Sequence, residues 1–170
     1  MGTDSAVARE TAWLLTSSGD SLPFLPASAG GPWEIIDAYV QGAARQANKP
    51  AIYVKRGQVR QVRVANQRIR PRYPMSLELH WPVVRIGPGS SSIAAETAQD
   101  FDNAIELLRA RVTGPLGDKS HGGRFLSAAI DGKGQPDISV DYGNASETIK
   151  AAKELTAAMT YPVDDFELNI

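Results

Sequence analysis

The chain contains no cysteine. That excludes disulfides, thiolate nucleophiles, cysteine-ligated zinc and iron–sulfur clusters. Histidine is nearly as scarce, since His80 and His121 are the only two and they stand at no metal-binding spacing. A zinc site built by the protein is therefore not expected, and neither is any other cofactor. No apolar run approaches the roughly 20 residues that cross a bilayer. The start, Met1-Gly2-Thr3-Asp4, lacks a basic segment followed by an apolar one, and Ala6 breaks a myristoylation signal, so membrane and secretion readings drop out. Aromatic residues make up only 7%, without the interleaving with arginine that marks RNA-binding strands.

Acidic residues are missing from a whole stretch of the chain. Between Asp37 and Glu78 there is none, while Arg45, Lys49, Lys55, Arg56, Arg60, Arg63, Arg68, Arg70 and Arg72 all fall there. From Asp137 onward the balance reverses, with Asp137, Asp141, Glu147, Glu154, Asp164, Asp165 and Glu167 against Lys150 and Lys153. The net charge of -1 hides this division. A line of arginines meets phosphate backbones or an acidic protein surface, and the alternative is a solvated edge strand that resists aggregation.

What remains is ordinary globular composition, 42% apolar and 22% charged over 170 residues, enough for one domain with a core. The patterning predicts a short helix over Ser5 to Thr16, then a Ser/Gly/Pro-rich connector to Pro32, together an N-terminal arm over 1–31. An α+β domain over 32–170 follows. Gly31-Pro32 opens a predicted helix carrying Trp33, Ile36, Tyr39, Val40 and Ala43, ending near Asn48. Ile52 to Val54 and Val59 to Val64 predict a hairpin with a basic face. Arg68, Arg70 and Arg72 share a face if that segment is extended. Leu77, Leu79 and Trp81 alternate in a strand that Pro82 marks as edge or bulged, with His80 turned to solvent or an interface.

The strongest element is a helix over Ile93 to Val112, with Ser92 as its cap and Gly114-Pro115 as its stop. Strands over Arg124 to Ile130 and Ile138 to Tyr142 are expected to pair across Asp131-Gly132-Lys133-Gly134. Asn144 with Glu147 suggests a capping box for a helix with Ile149, Ala152, Leu155 and Met159, and Phe166, Leu168 and Ile170 close the chain as a strand. The order predicts helices packed on a largely antiparallel or mixed sheet.

Catalytic chemistry is thin. His121, with Ser120 and Asp118 beside it, sits in a glycine-rich loop able to present it to a substrate, but adjacency alone builds no triad. Gly87-Pro88-Gly89-Ser90-Ser91-Ser92 leads into a helix start and offers a phosphate site, without the lysine of a Walker loop. Asp164 and Asp165, like Asp100 and Asp102, point to different sides and are expected to be solvated.

In its layout the chain resembles the tail terminator proteins of long-tailed bacteriophages. A leading helix over Trp33 to Ala47 precedes a hairpin, a long strand over Leu77 to Ile86, the helix over Ile93 to Val112, two strands, another helix, and Tyr161-Pro162-Val163-Asp164-Asp165-Phe166. The resemblance covers 32–170 and rests on no diagnostic motif. It implies a non-enzymatic virion protein at the head–tail junction, made in the host cytoplasm. Six copies would ring the end of the tail tube and stop its growth. Its partners would be the tail tube protein, the head-completion protein and genomic DNA passing through the lumen. Arg60, Arg63, Arg68, Arg70 and Arg72 become the expected subunit or lumen contacts. Asp137, Asp141, Asp164, Asp165 and Glu167 become the complementary acidic surface. Other neck proteins, and a phosphate-binding enzyme using Gly87 to Ser92, are the alternatives.

Overall fold

The computed structural model describes residues 3–18, 21–41, 49–83, 90–114, 118–143 and 154–169. Its organising element is β4 (Arg68–Pro82), a long strand with neighbours along both flanks. On one flank β2 (Ala51–Arg56) pairs from Arg56↔Met75 to Ala51↔His80, and β3 (Arg60–Ala65) continues in line from Arg60↔Arg72 to Ala65↔Arg68. On the other, β7 (Glu154–Asp164) pairs from Glu154↔Pro82 to Asp164↔Arg72, and β8 (Leu168–Asn169) carries on at Ile69 and Arg68. Outside β2 lies β1 (Ile35–Ala38), parallel to it, and outside β7 lie β5 (Ser127–Ala128) and β6 (Ser139–Tyr142), both antiparallel to it. The sheet is therefore mixed and backed by helices, the expected α+β class.

Alternation decides which face is covered. Tyr73, Met75, Leu77 and Leu79 of β4 and Leu155, Ala157, Met159, Tyr161 and Val163 of β7 are buried. The residues between them, such as Arg72, Pro74 and Ser76, are exposed or half-buried on the open face. Against the buried face lies α2 (Ser90–Thr113), whose Phe101, Ala104, Ile105, Leu108 and Val112 form the stripe its spacing predicts. Each such fully buried aliphatic or phenyl group contributes about 1.5–3 kcal/mol. The helix starts two residues before Ser92, so that serine lies in its first turn and not ahead of it. Gly114 stops it in the left-handed region, φ 85°.

The first helix, α1 (Thr3–Leu15), belongs to this same core and is no separate arm. Ala6, Trp13 and Leu14 are buried with the sheet residues, and Glu10 lies on the same face. The connector after it turns tightly through a 3-10 turn, Ala27–Ala29, and the Trp33 N–H donates to Leu25 O at 3.1 Å. A Cβ on Gly31 would meet the carbonyl oxygens of Leu25 and Phe24, both backbone atoms. Gly31→Ala is accordingly expected to cost about 1–3 kcal/mol, read as a lower denaturation midpoint.

Several expected elements differ. The helix expected from Trp33 is instead β1, because Ile35 and Ile36 are β-branched and pair with Ala51 and Ile52. Val40, which that helix would bury, is 63% exposed, and 42–48 lie outside the described residues. Leu155 and Met159 belong to β7 and not to a helix, while 144–153 lie outside the described residues. Their i, i+4 spacing fits both periods, and strict alternation from Leu155 to Val163 favours the strand. The pairings also differ. β2 and β3 do not pair with each other but follow one another along β4; the chain does pair across the Asp131 turn, Ile130 with Pro136 and the Asp137 N–H to Ala129 O, while β5 and β6 themselves pair with β7. Pro82 pairs with Glu154 but lies past the end of β2, so among the described residues the strand is an edge on that flank there, as expected.

Candidate functional site

Where β2 passes into β3 and β7 into β8, the register against β4 shifts by one residue. Pro74 and Pro71 stand at these two shifts. Their carbonyls accept from the Gly57 and Asp165 N–H groups, while the N–H they lack is not needed at a bulge. Beyond this point β4 from Arg68 to Arg72, β3 and β8 form an arm. All six β3 residues are exposed, including Val62 at 42% and Val64 at 45%.

The arm brings the two oppositely charged parts of the sequence together inside one chain. Arg72 donates to Asp164 through Nε at 2.6 Å and Nη2 at 3.1 Å. Arg70 donates to Glu167 at 2.8 Å, and Arg68 lies 3.7 Å from it. Asp165 turns the other way and accepts from Arg9 at 2.7 Å and from the Tyr73 hydroxyl at 2.7 Å. Three of the five acids expected to meet another copy are thus engaged at home, and Asp165 is partly buried, not solvated. Burial raises its carboxyl affinity for protons, but the hydrogen bonds from Arg9, Tyr73 and the Phe166 N–H outweigh this and hold the pKa below 3.8. For Arg72 the hydrogen bond to Asp164 raises the guanidinium pKa.

Arg60, Arg63, Asp137 and Asp141 are left exposed with no ion pair among the described residues. Arg60, Arg72, Pro74, Asp137, Thr160 and Pro162 line an open cleft of about 490 Å³ on the uncovered sheet face. Its positive wall is β3 with β4 and its negative wall is the segment entering β6.

Neither histidine is available to a substrate. His80 is 8% exposed, with Glu78 at 2.8 Å on Nε2 and Glu154 at 3.2 Å on Nδ1, so it does not face solvent as its strand position suggested. His121 has no exposed surface. Glu10 sits 2.9 Å from its Nδ1, the Val112 carbonyl 2.9 Å from its Nε2, and Trp13 stacks on it at 3.7 Å. The Tyr161 hydroxyl donates to Glu10. Burial, then the Glu10 carboxylate, push the Tyr161 phenol well above its usual range. Burial likewise lowers the nearby Arg111 to about 10, leaving it charged at neutral pH as it donates to Trp13 O at 2.6 Å. Ser120 and Asp118 bond to each other and to the loop amides, Ser120 Oγ to Asp118 at 2.7 Å and the Gly122 N–H to Asp118 at 2.8 Å. They shape a turn.

Sequence reasoning missed Glu10, Arg9 and Tyr161. Glu10 had a signal, as the one acid on the helix face of Ala6, Trp13 and Leu14. Arg9 had none, because Asp165 is 156 positions away. The loop 87–89 lies outside the described residues, and among the described residues no helix is long and apolar enough to cross a membrane. No family model matches the chain, and no curated protein matches its sequence.

Proposed function

We propose that this is a structural virion protein of the tail terminator kind. Copies form a ring at the end of a phage tail tube, ending its growth and joining it to the head. The observation that carries the reading is the arm formed by β3, the start of β4 and β8. Its β3 and β8 are exposed throughout, and it holds Val62 and Val64 in solvent and keeps more positive charge than its own acids neutralise. A ribbon of that kind gains little burial within one chain and is stabilised by contact with a neighbour. The central helix, long strand and closing strand of the layout that resembles tail terminators support the same reading. His121 is buried between Glu10 and the Val112 carbonyl, which weighs against the enzyme alternative.

Light scattering and negative-stain electron microscopy test it. At low salt the expected mass is six times that of the 18.3 kDa chain, with closed rings in the images. Raising the salt toward 1 M shortens the screening length to about 3 Å and is expected to loosen the rings. A single-chain mass under both conditions would count against the reading.

A further inference from the structure

Two strands on opposite flanks of the sheet, β3 outside β4 and β6 outside β7, carry opposite charge. On one flank β3 pairs only with β4, so its second edge has no partner among the described residues, and Arg60 and Arg63 stand on it unpaired. On the other flank, among the described residues, β6 pairs only with β7. Asp137 precedes it and Asp141 lies within it, both exposed and without an ion pair among those residues. Next to β6, burial raises the Tyr142 phenol pKa and the carboxylates Asp102 and Glu106 of α2 raise it further, which places more acid beside this edge. The opposing cation close by on α2, Arg109, is taken by Glu106 at 2.7 Å.

Strand direction fits the two edges to each other. β3 is antiparallel to β4, β4 to β7, and β7 to β6, so β3 and β6 run in opposite directions. A neighbour that keeps the same orientation and is shifted by six residues along the strands, the offset between Arg72 beside Arg60 and Glu78 level with Asp141, sets its β3 antiparallel to β6. That ladder has the better hydrogen-bond geometry. Arg60 shares the open sheet face with Asp141, since Arg60 pairs with Arg72, Asp141 with Ala158, and Ala158 with Glu78. A two-fold contact of β3 with β3 would bring two arginine-bearing edges together with no acid between them, and like charges close across strands repel.

We infer that copies of this chain join head to tail through their sheet edges, the basic β3 edge of one adding antiparallel to the acidic β6 edge of the next. The inference rests on the self-assembly in the reading above and names its interface. Because the two edges differ, the contact is heterologous, and it makes a ring when its rotation closes.

Two charge-reversed variants test it, R60E/R63E and D137K/D141K. All four side chains are exposed and without an ion pair among the described residues, and circular dichroism of each variant checks that the chain keeps its fold. Each variant alone is expected to fall from the wild-type mass to that of one chain in light scattering. Mixed in equal amounts they are expected to reassemble. The introduced glutamates of one variant then meet the introduced lysines of the other, and the native arginines and aspartates meet in the alternate contacts. Hydrogen exchange on the wild type adds a readout independent of variants. The amides of 60–65 and 139–142 should gain protection together as concentration drives assembly. If the wild type assembles but both variants keep its mass, or these amides stay unprotected, the edge contact is wrong while the ring reading stands. If the wild type is a single chain at every concentration and salt, both fail.

Discussion

Replacing His121 with alanine is expected to lower the unfolding free energy by about 3–5 kcal/mol, because it strands a buried carboxylate. Nε2 faces the Val112 carbonyl, which can only accept, so that nitrogen carries a hydrogen. Nδ1 meets both Glu10 oxygens, at 2.9 and 3.0 Å. Without the ring, Glu10 keeps only the Tyr161 hydroxyl, and Trp13 loses its stacking partner. His121 also has a positive φ, 49°, so His121→Gly should fall within about 1 kcal/mol of His121→Ala by relieving backbone strain. Urea unfolding measures both through the midpoint at constant slope. In the His121→Ala background, Glu10→Leu should recover part of the loss, since it removes the stranded charge. A loss below about 1 kcal/mol for His121→Ala would mean that the carboxylate is not held by this ring.

The second large effect belongs to Asp165, which ties α1, β4 and the passage from β7 to β8 together. Asp165→Ala removes bonds to Arg9, Tyr73 and the Phe166 N–H and is expected to cost about 2–3 kcal/mol, the range for hydrogen bonds to a charged group. The pH dependence has a definite sign. The folded carboxyl has a pKa below its ordinary 3.8, so its contribution is complete above that value and is lost as pH falls through the folded pKa. Asp165→Asn should therefore be less stable at neutral pH yet lose less stability than the wild type below about pH 4. Equal acid sensitivity in the two proteins would show that Asp165 is not the group responsible. Hydrogen exchange should also speed up at Leu168 and Asn169, because β8 is held to β4 by only two residue pairs.

The central helix was legible because Phe101, Ala104, Ile105, Leu108 and Val112 repeat at 3.6 residues with polar residues between them. The turn at Asp131 was legible too, since an aspartate before glycines accepts its own loop amides, here from Lys133 and Gln135 at 2.8 and 2.9 Å. Two expected helices give way to strands where they reach described residues, at 35–38 and from Glu154, because propensity and tertiary pairing disagree there. The alanines near 157 favour a helix by themselves, but eleven register pairs with β4 outweigh about 1 kcal/mol per residue at most of propensity. The first half of β4 was obscured by Pro71 and Pro74, which usually argue against a central strand and are tolerated here at bulges.

The sequence alone determined the segregation of charge, the scarcity of catalytic side chains and the α+β class, because these depend on composition and local periodicity. Only the tertiary structure decided which charges meet. Asp164 and Glu167 reach Arg72 and Arg70 because β7 and β8 run down one flank of β4, and Glu10 finds His121 because α1 closes over the core. Such pairings join residues about a hundred positions apart, and no local spacing encodes them. What those pairings leave unsatisfied, Arg60 and Arg63 at one sheet edge and Asp137 and Asp141 at the other, is likewise a property of the folded chain, since ion pairs are settled by distance in space and not along the sequence.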